Sequence, residues 1–198
     1  MTTDVTSTRD DILSRLGDIF YAKGTYLVGM SELVDHLETT RATFYRYFGS
    51  KEALIVAYLE KRNDAVSRQL HEILGERSGR EPVLDVFSNL ERKTEAENFR
   101  GCAFLIAAIE NPQSPEILKT ARDHKSFLKD FFVQALGVEA DDATAEQLLL
   151  LYEGALAGSV LRRDARSATT AKAIVAKLLL TPANDQARST SMRPSASL

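Results

Sequence analysis

Residues 39–51, TTRATFYRYFGSK, bring three basic side chains (Arg41, Arg46, Lys51), two tyrosines and two phenylalanines into a stretch without an acid. The chain as a whole leans the other way, with 25 Lys and Arg against 28 Asp and Glu. Setting the three aside leaves 22 basic against 28 acidic residues. A basic, aromatic, hydroxyl-bearing strip on an acidic protein suits contact with a phosphate backbone, so nucleic acid is the partner expected of this segment.

The residues before the strip sharpen that expectation. Met30, Leu33, Val34 and Leu37 recur at helical spacing, Glu38-Thr39 breaks the pattern, and Thr40 can cap a second short helix with Phe44 and Phe48 inward. Two short helices joined by a tight turn make a helix-turn-helix, whose second helix enters the major groove with its first residues against base edges. Thr40, Arg41, Ala42 and Thr43 then occupy the reading end. Arg41 can donate two hydrogen bonds to a guanine, the Ala42 methyl can touch a thymine methyl, and the threonine hydroxyls suit base or phosphate. Tyr45, Tyr47 and Lys51 lie where the groove wall is phosphate. Gly49-Ser50 closes the helix and Ser50 can cap the next one, which sets Lys51 beside free backbone N–H groups at a helix N-terminus, an anion site.

These residues carry a resemblance. Over about the first sixty positions the chain resembles the DNA-binding domain of the TetR family of bacterial transcriptional regulators. The matching parts are an amphipathic first helix (Ile12, Leu13, Leu16, Ile19, Phe20), the Lys23-Gly24-Thr25-Tyr26 turn, the Thr43-Phe44-Tyr45-Arg46-Tyr47-Phe48 helix, and the ending Ser50-Lys51-Glu52-Ala53-Leu54. The resemblance implies phosphate contacts for Tyr45, Tyr47 and Lys51, and base-reading or neighbouring positions for Thr40, Arg41, Ala42 and Thr43. The chain departs from the family at the turn, where Glu38 replaces the usual glycine and Thr39 the usual small aliphatic residue. Glycine serves there because the turn prefers positive φ, which costs a residue with a Cβ roughly 1 kcal/mol. Glu38 is therefore expected to strain or alter the turn and to put a negative charge near DNA.

Length and composition agree with a two-part helical protein. At 198 residues and 44% hydrophobic, the chain can bury a substantial core. Alternating strand patterns are scarce while helical periodicity recurs, so the expected class is all-α, with about nine helices: an N-terminal three-helix domain over 1–50, a helical ligand-binding and dimerisation domain over 51–182, and a disordered tail over 183–198. Breakers place helices over 51–74, 82–95, 102–110, 115–136, 143–162 and 169–180. The single Cys102 fits a reducing cytoplasm, no leader opens the sequence, and the greasiest stretch, 148–161, is short of the roughly 20 residues that span a bilayer.

The 147–160 helix mixes Leu148 to Leu151 with Gly154, Ala155, Ala157, Gly158 and Ser159. By resemblance to TetR regulators, it and the following helix, with Ile174, Val175, Leu178 and Leu179, build a four-helix homodimer interface. Two recognition helices about 34–36 Å apart then call for a palindromic operator. Phe87, Leu90, Phe99, Phe104, Ile106, Ile109, Phe127, Phe131, Phe132 and Tyr152 are candidate walls of a small-molecule pocket. Phe87, Phe104, Phe127, Phe131 and Tyr152 are taken as the ligand-binding set, though aromatics at helical spacing more often form core. His124, Tyr152 and Glu153 are the polar candidates for such a pocket, and for His124, beside Asp123 and Lys125, a surface place is the one expected. Arg100-Gly101-Cys102-Ala103-Phe104 resembles a segment of one branch of the family; Cys102 reads as a small buried hydrophobe ahead of a redox sensor.

No metal spacing joins His36, His71, His124 and Cys102, and the sequence has no glycine-rich phosphate loop, so no cofactor, metal or catalysis is expected. The expected function is a dimeric repressor released from its operator by a small-molecule inducer. The alternatives are a redox-sensing regulator using Cys102 and a helical binding protein that has lost DNA recognition.

Overall fold

The computed structural model describes residues 5–180, and over them the chain forms nine helices and no strand. They are α1 (Val5–Lys23), α2 (Met30–His36), α3 (Arg41–Phe48), α4 (Lys51–Leu74), α5 (Arg80–Thr94), α6 (Ala103–Glu110), α7 (Pro115–Leu136), α8 (Ala143–Arg162) and α9 (Arg166–Leu178). The tail expected over 183–198 lies outside the described residues.

Local chemistry accounts for most of the boundaries. Thr40 caps α3 by accepting from the Thr43 amide at 3.1 Å, Ser50 caps α4 from Ala53 at 3.0 Å, and Asp142 caps α8 from Thr144 at 2.7 Å. Ser114 caps α7, with Pro115 in the first turn, where its missing N–H costs nothing. Two starts fall earlier than the sequence pattern suggests. α5 begins at Arg80, which leaves Pro82 in its first turn, and α9 begins at Arg166, whose amide donates to the Asp164 carboxylate at 3.0 Å.

The apolar faces build two cores. The first joins α1, α2, α3 and the start of α4, through residues such as Leu16, Phe20, Leu33, Phe44 and Leu54, to Phe104 and Ala107 of α6 and Ile117 and Ala121 of α7. The second joins Leu70 and Leu74 at the end of α4 to α5, the rest of α7, α8 and α9. Phe87, Phe132 and Tyr152 pack there with ring centres 6.0–6.2 Å apart about Phe87. Half-buried Cys102 touches both cores.

The end of α6 holds the turn between α1 and α2. The Glu110 carboxylate accepts from the Thr25 amide at 2.5 Å, the Thr25 hydroxyl at 2.8 Å and the Tyr26 amide at 3.1 Å. Asn111 Nδ2 donates to the same hydroxyl at 2.8 Å. Gly24 is required at this point: its φ is +87°, and a Cβ there would run into the Glu110 carboxylate. Farther along, the Ser114 hydroxyl donates to Glu52 and ties the start of α7 to the start of α4.

Gly24→Ala is therefore expected to cost more stability than Gly49→Ala, because Gly49, at φ +72°, has nothing within 4 Å of a Cβ. Urea unfolding should show about 1 kcal/mol for the backbone strain at Gly49 and a larger loss at Gly24. Equal losses would mean that the Glu110 clasp contributes nothing.

Candidate nucleic-acid interface and effector cleft

α2 ends in a Schellman motif: the Glu38 amide donates to Asp35 O at 3.2 Å and the Thr39 amide to Val34 O at 3.1 Å. That motif puts residue 38 in the left-handed region, and Glu38 adopts φ +50°. The expected strain is thus present and its cause is the turn itself. Arg15 of α1 steadies this end, donating to Leu37 O at 3.2 Å and His36 O at 2.9 Å, with Glu38 Oε2 3.6 Å away. The Glu38 side chain is otherwise in solvent.

With the turn fixed, α3 buries Phe44 and Phe48 and leaves Thr40, Arg41, Ala42, Tyr45 and Arg46 exposed, with Thr43 and Tyr47 half-buried. The outward face of α3 carries no acid. Arg41 rests on the Ser31 hydroxyl of α2 at 3.0 Å. The Arg46 guanidinium lies 5.0 Å from the centre of the Tyr47 ring, which turns both toward the same side. Lys51, the first residue of α4, donates to the Tyr26 carbonyl at 3.0 Å. Partial burial lowers its ammonium pKa, opposed by the nearby charge of Glu110. Tyr26 and Leu27 stand exposed beside it. The seven residues singled out from the sequence thus share one end of the molecule, and the exposed Tyr26-Leu27 turn joins them.

A cleft of about 240 Å³ lies between the two cores, with Tyr21, Arg62, Lys93, Cys102, Phe104, His124 and Tyr152 in its walls. Of the five aromatic positions expected to bind a ligand, Phe104 and Tyr152 line this cleft. Phe127 and Phe131 line a separate hollow with Leu70 and Leu74, and Phe87 is fully buried in the second core. Tyr21 joins the cleft wall to α1, its hydroxyl accepting from the Arg100 amide at 2.9 Å. Cys102 caps α6, its sulfur accepting from the Leu105 amide at 3.5 Å.

His124 is buried, 6% exposed, and the expectation of a surface position is corrected. Its charged neighbours Asp123 and Lys125 suggested solvent, but the inward stripe of α7 runs through Ile117, Ala121, His124 and Leu128. Its ring stacks on Phe104 with centres 3.6 Å apart and planes 4° apart, and Nδ1 lies 2.7 Å from Asn63 Oδ1. Burial first, then the charges of Lys125 and Arg62, push its pKa down from 6.5 to about 3. Arg62 and Lys93 went unnoticed in the sequence. A signal existed for Arg62, a charge on the apolar Tyr58, Arg62, Val66 row of α4. Among the described residues no group of three or more His, Cys, Asp or Glu is placed to hold a metal, and no helix is long and apolar enough to cross a membrane.

His124 gives a pH prediction. Between pH 6.5 and about 3 the unfolded chain binds a proton that the native chain does not, so stability falls as pH drops through that window. The slope is at most about 1.4 kcal/mol per pH unit. From pH 7 to pH 5, urea unfolding of the native sequence should lose about 1–2 kcal/mol more than that of His124→Gln. Identical pH dependence would show that His124 protonates freely in the fold.

Comparison with known proteins agrees with this geometry. Residues 12–58 match the family described as bacterial regulatory proteins, tetR family. The HTH-type transcriptional repressor NemR of Escherichia coli is 30% identical over 119 residues, 59% of this chain and 60% of NemR. The HTH-type regulator YezE of Bacillus subtilis is 28% identical over 131 residues, 63% of this chain and 66% of YezE. The chain thus aligns with about 60% of the length of NemR. Among solved structures, SCO4454, a TetR-family regulator from Streptomyces coelicolor, matches with a TM-score of 0.80 and 28% identity over 88% of this chain and 95% of that one. The reduced form of E. coli NemR matches with a TM-score of 0.75 and 25% identity over 89% and 99%. Residues 12–58 thus match the tetR family of bacterial regulatory proteins, and the helical fold over residues 5–180 is similar to that of TetR-family regulators.

Proposed function

We propose that the chain is a TetR-family transcriptional regulator, a cytoplasmic repressor that binds a palindromic operator as a homodimer and is released by a small molecule bound in the cleft. The observation that carries the reading is the α3 face: exposed Arg41, Ala42 and Tyr45 at a capped N-terminus, with Lys51 at the start of the next helix. Thr40, Arg41, Ala42 and Thr43 read base edges, and Tyr45, Tyr47 and Lys51 hold phosphates. Lys51 would exchange the Tyr26 carbonyl for a phosphate oxygen, a charge-assisted contact.

The dimer reading is supported by an apolar stripe on α8. Leu150, Gly154, Ala157 and Leu161 are all exposed at spacings of four, three and four, and Ile174 of α9 is 45% exposed. Leu161 is 85% and Leu150 68% exposed, and a contiguous exposed apolar stripe marks an interaction face.

α4 is the lever. It starts at Lys51, and Arg62, eleven residues and about 16 Å farther along, faces the cleft. A ligand that prefers the arrangement with the recognition helices too far apart releases DNA by as much as its affinities for the two states differ. The small-molecule reading is supported over oxidation at Cys102 by the size of the cleft, and by the lack of a second cysteine in the chain for an internal disulfide.

Fluorescence anisotropy with duplexes from the DNA flanking the gene tests the reading. Arg41→Ala should lose about 1–3 kcal/mol of preference for operator over scrambled DNA. Lys51→Ala should weaken all duplexes alike and reduce the salt slope by about one. Operator and scrambled DNA bound equally by the unaltered protein would exclude the repressor. In sedimentation, Leu150→Glu should turn a dimer into a monomer and abolish tight operator binding; a dimer that survives the change would place the interface elsewhere.

A further inference from the structure

The cleft carries an electrostatic imbalance. Its walls hold two cationic side chains, Arg62 of α4 and Lys93 of α5, and no carboxylate. Neither cation makes an ion pair among the described residues. The Arg62 guanidinium lies over the Tyr21 ring, 4.8 Å from its centre, and 5.8 Å from that of Tyr58. Lys93, a largely exposed side chain at the mouth, donates to the amide oxygen of Gln69 at 2.7 Å. The Lys93 ammonium pKa is lowered, by desolvation first and then by the charges of Arg62 and Arg92. The acids Asp18, Glu95, Glu97 and Asp164 line an adjoining groove, which shares Tyr21, Ala96, Asn98 and Phe99 with the cleft.

The remaining polar groups favour the same kind of occupant. The Tyr152 side chain lines the cleft, and burial raises the pKa of its hydroxyl, as does the adjacent Cys102 thiol to a lesser degree, so it stays a neutral donor. His124, neutral at physiological pH, adds no charge of its own. Phe99, Phe104 and Leu156 supply the apolar walls. A cation would add a third positive charge, and a neutral guest would leave Arg62 and Lys93 repelling each other in a partly desolvated space. The volume of 240 Å³ equals about eight waters at roughly 30 Å³ each, below the ~300 Å³ at which drug-sized pockets begin.

We propose that the cleft is a site for a small organic carboxylate, with one ring or a short chain against Phe99, Phe104 and Leu156 and its anionic end between Arg62 and Lys93. The proposal deepens the reading of this cleft as the effector site and rests on it only for the effect on DNA. Binding itself is independent of that reading. The carboxylate screens the two like charges from each other, offsetting one of them, accepts from the Tyr152 hydroxyl, and engages α4 and α5 at once.

Calorimetric titration of the full-length protein at neutral pH, with matched probes, tests it: benzoate and benzamide, phenylacetate and phenylacetamide, hexanoate and hexanamide, and benzylamine. At least one carboxylate should bind ten times or more tightly than its own amide, and benzylamine should not bind. Lys93→Met, at an exposed position, should keep the native melting profile and lose that preference, and Arg62→Met should lose it as well. No carboxylate binding more tightly than its amide overturns the proposal, and so does a preference that survives both substitutions. Operator release is read separately by anisotropy. A carboxylate that binds in the cleft and leaves operator affinity unchanged upholds the proposal while removing the effector role. Operator release by the amides, without carboxylate preference, does the reverse.

Discussion

One carboxylate decides how the N-terminal helices stand relative to the rest of the chain. Glu110 closes α6 and accepts three hydrogen bonds from the turn that separates α1 from α2. Bonds to an ionised acceptor are stronger than neutral ones, and three on one residue fix the direction of a turn as well as its position. Lys51 is drawn in by the same charge, and its bond to the Tyr26 carbonyl closes the arrangement on the other side of the turn. Two further contacts tie the N-terminal helices and the start of α4 to the rest: Ser114 with Glu52, and Tyr21 with Arg100.

α6 thereby has two ends with different company. Its first residues, after Cys102, face the cleft; its last residue holds the turn between α1 and α2. At eight residues it spans about 12 Å, short enough that a shift at one end is felt at the other. α4 runs alongside, with Lys51 at its start beside that turn and Arg62 at the cleft.

Much of this was legible in the sequence where the chemistry is local. The caps Thr40 and Ser50, the inward Phe44 and Phe48, and the demand for positive φ at Glu38 each depend on a few neighbouring residues, and the chain adopts each of them. The clasp between Glu110 and Thr25 joins residues 85 positions apart and leaves no trace in either segment. His124 was misread because adjacent charges spoke louder than the spacing of Ile117, Ala121 and Leu128. The aromatic set divided for a similar reason: a helical stripe of rings looks the same whether it meets a core, as Phe87 does, or a cleft, as Phe104 and Tyr152 do. Sequence spacing gives the face of a helix, and only the packing of other helices says what that face meets.

The sharing of α4 between the two cores has a bearing on how the molecule comes apart. Leu54, Ile55, Ala57, Tyr58 and Leu59 belong to one core and Leu70 and Leu74 to the other, on a single uninterrupted helix. The amides midway along that helix can exchange their hydrogens only by an opening that breaches one core, and the rigid rod transmits the damage to the second. Hydrogen exchange at the centre of α4 should then report the free energy of global unfolding. The two cores would melt in one cooperative step, so heat alone would not yield one core folded and detached from the other.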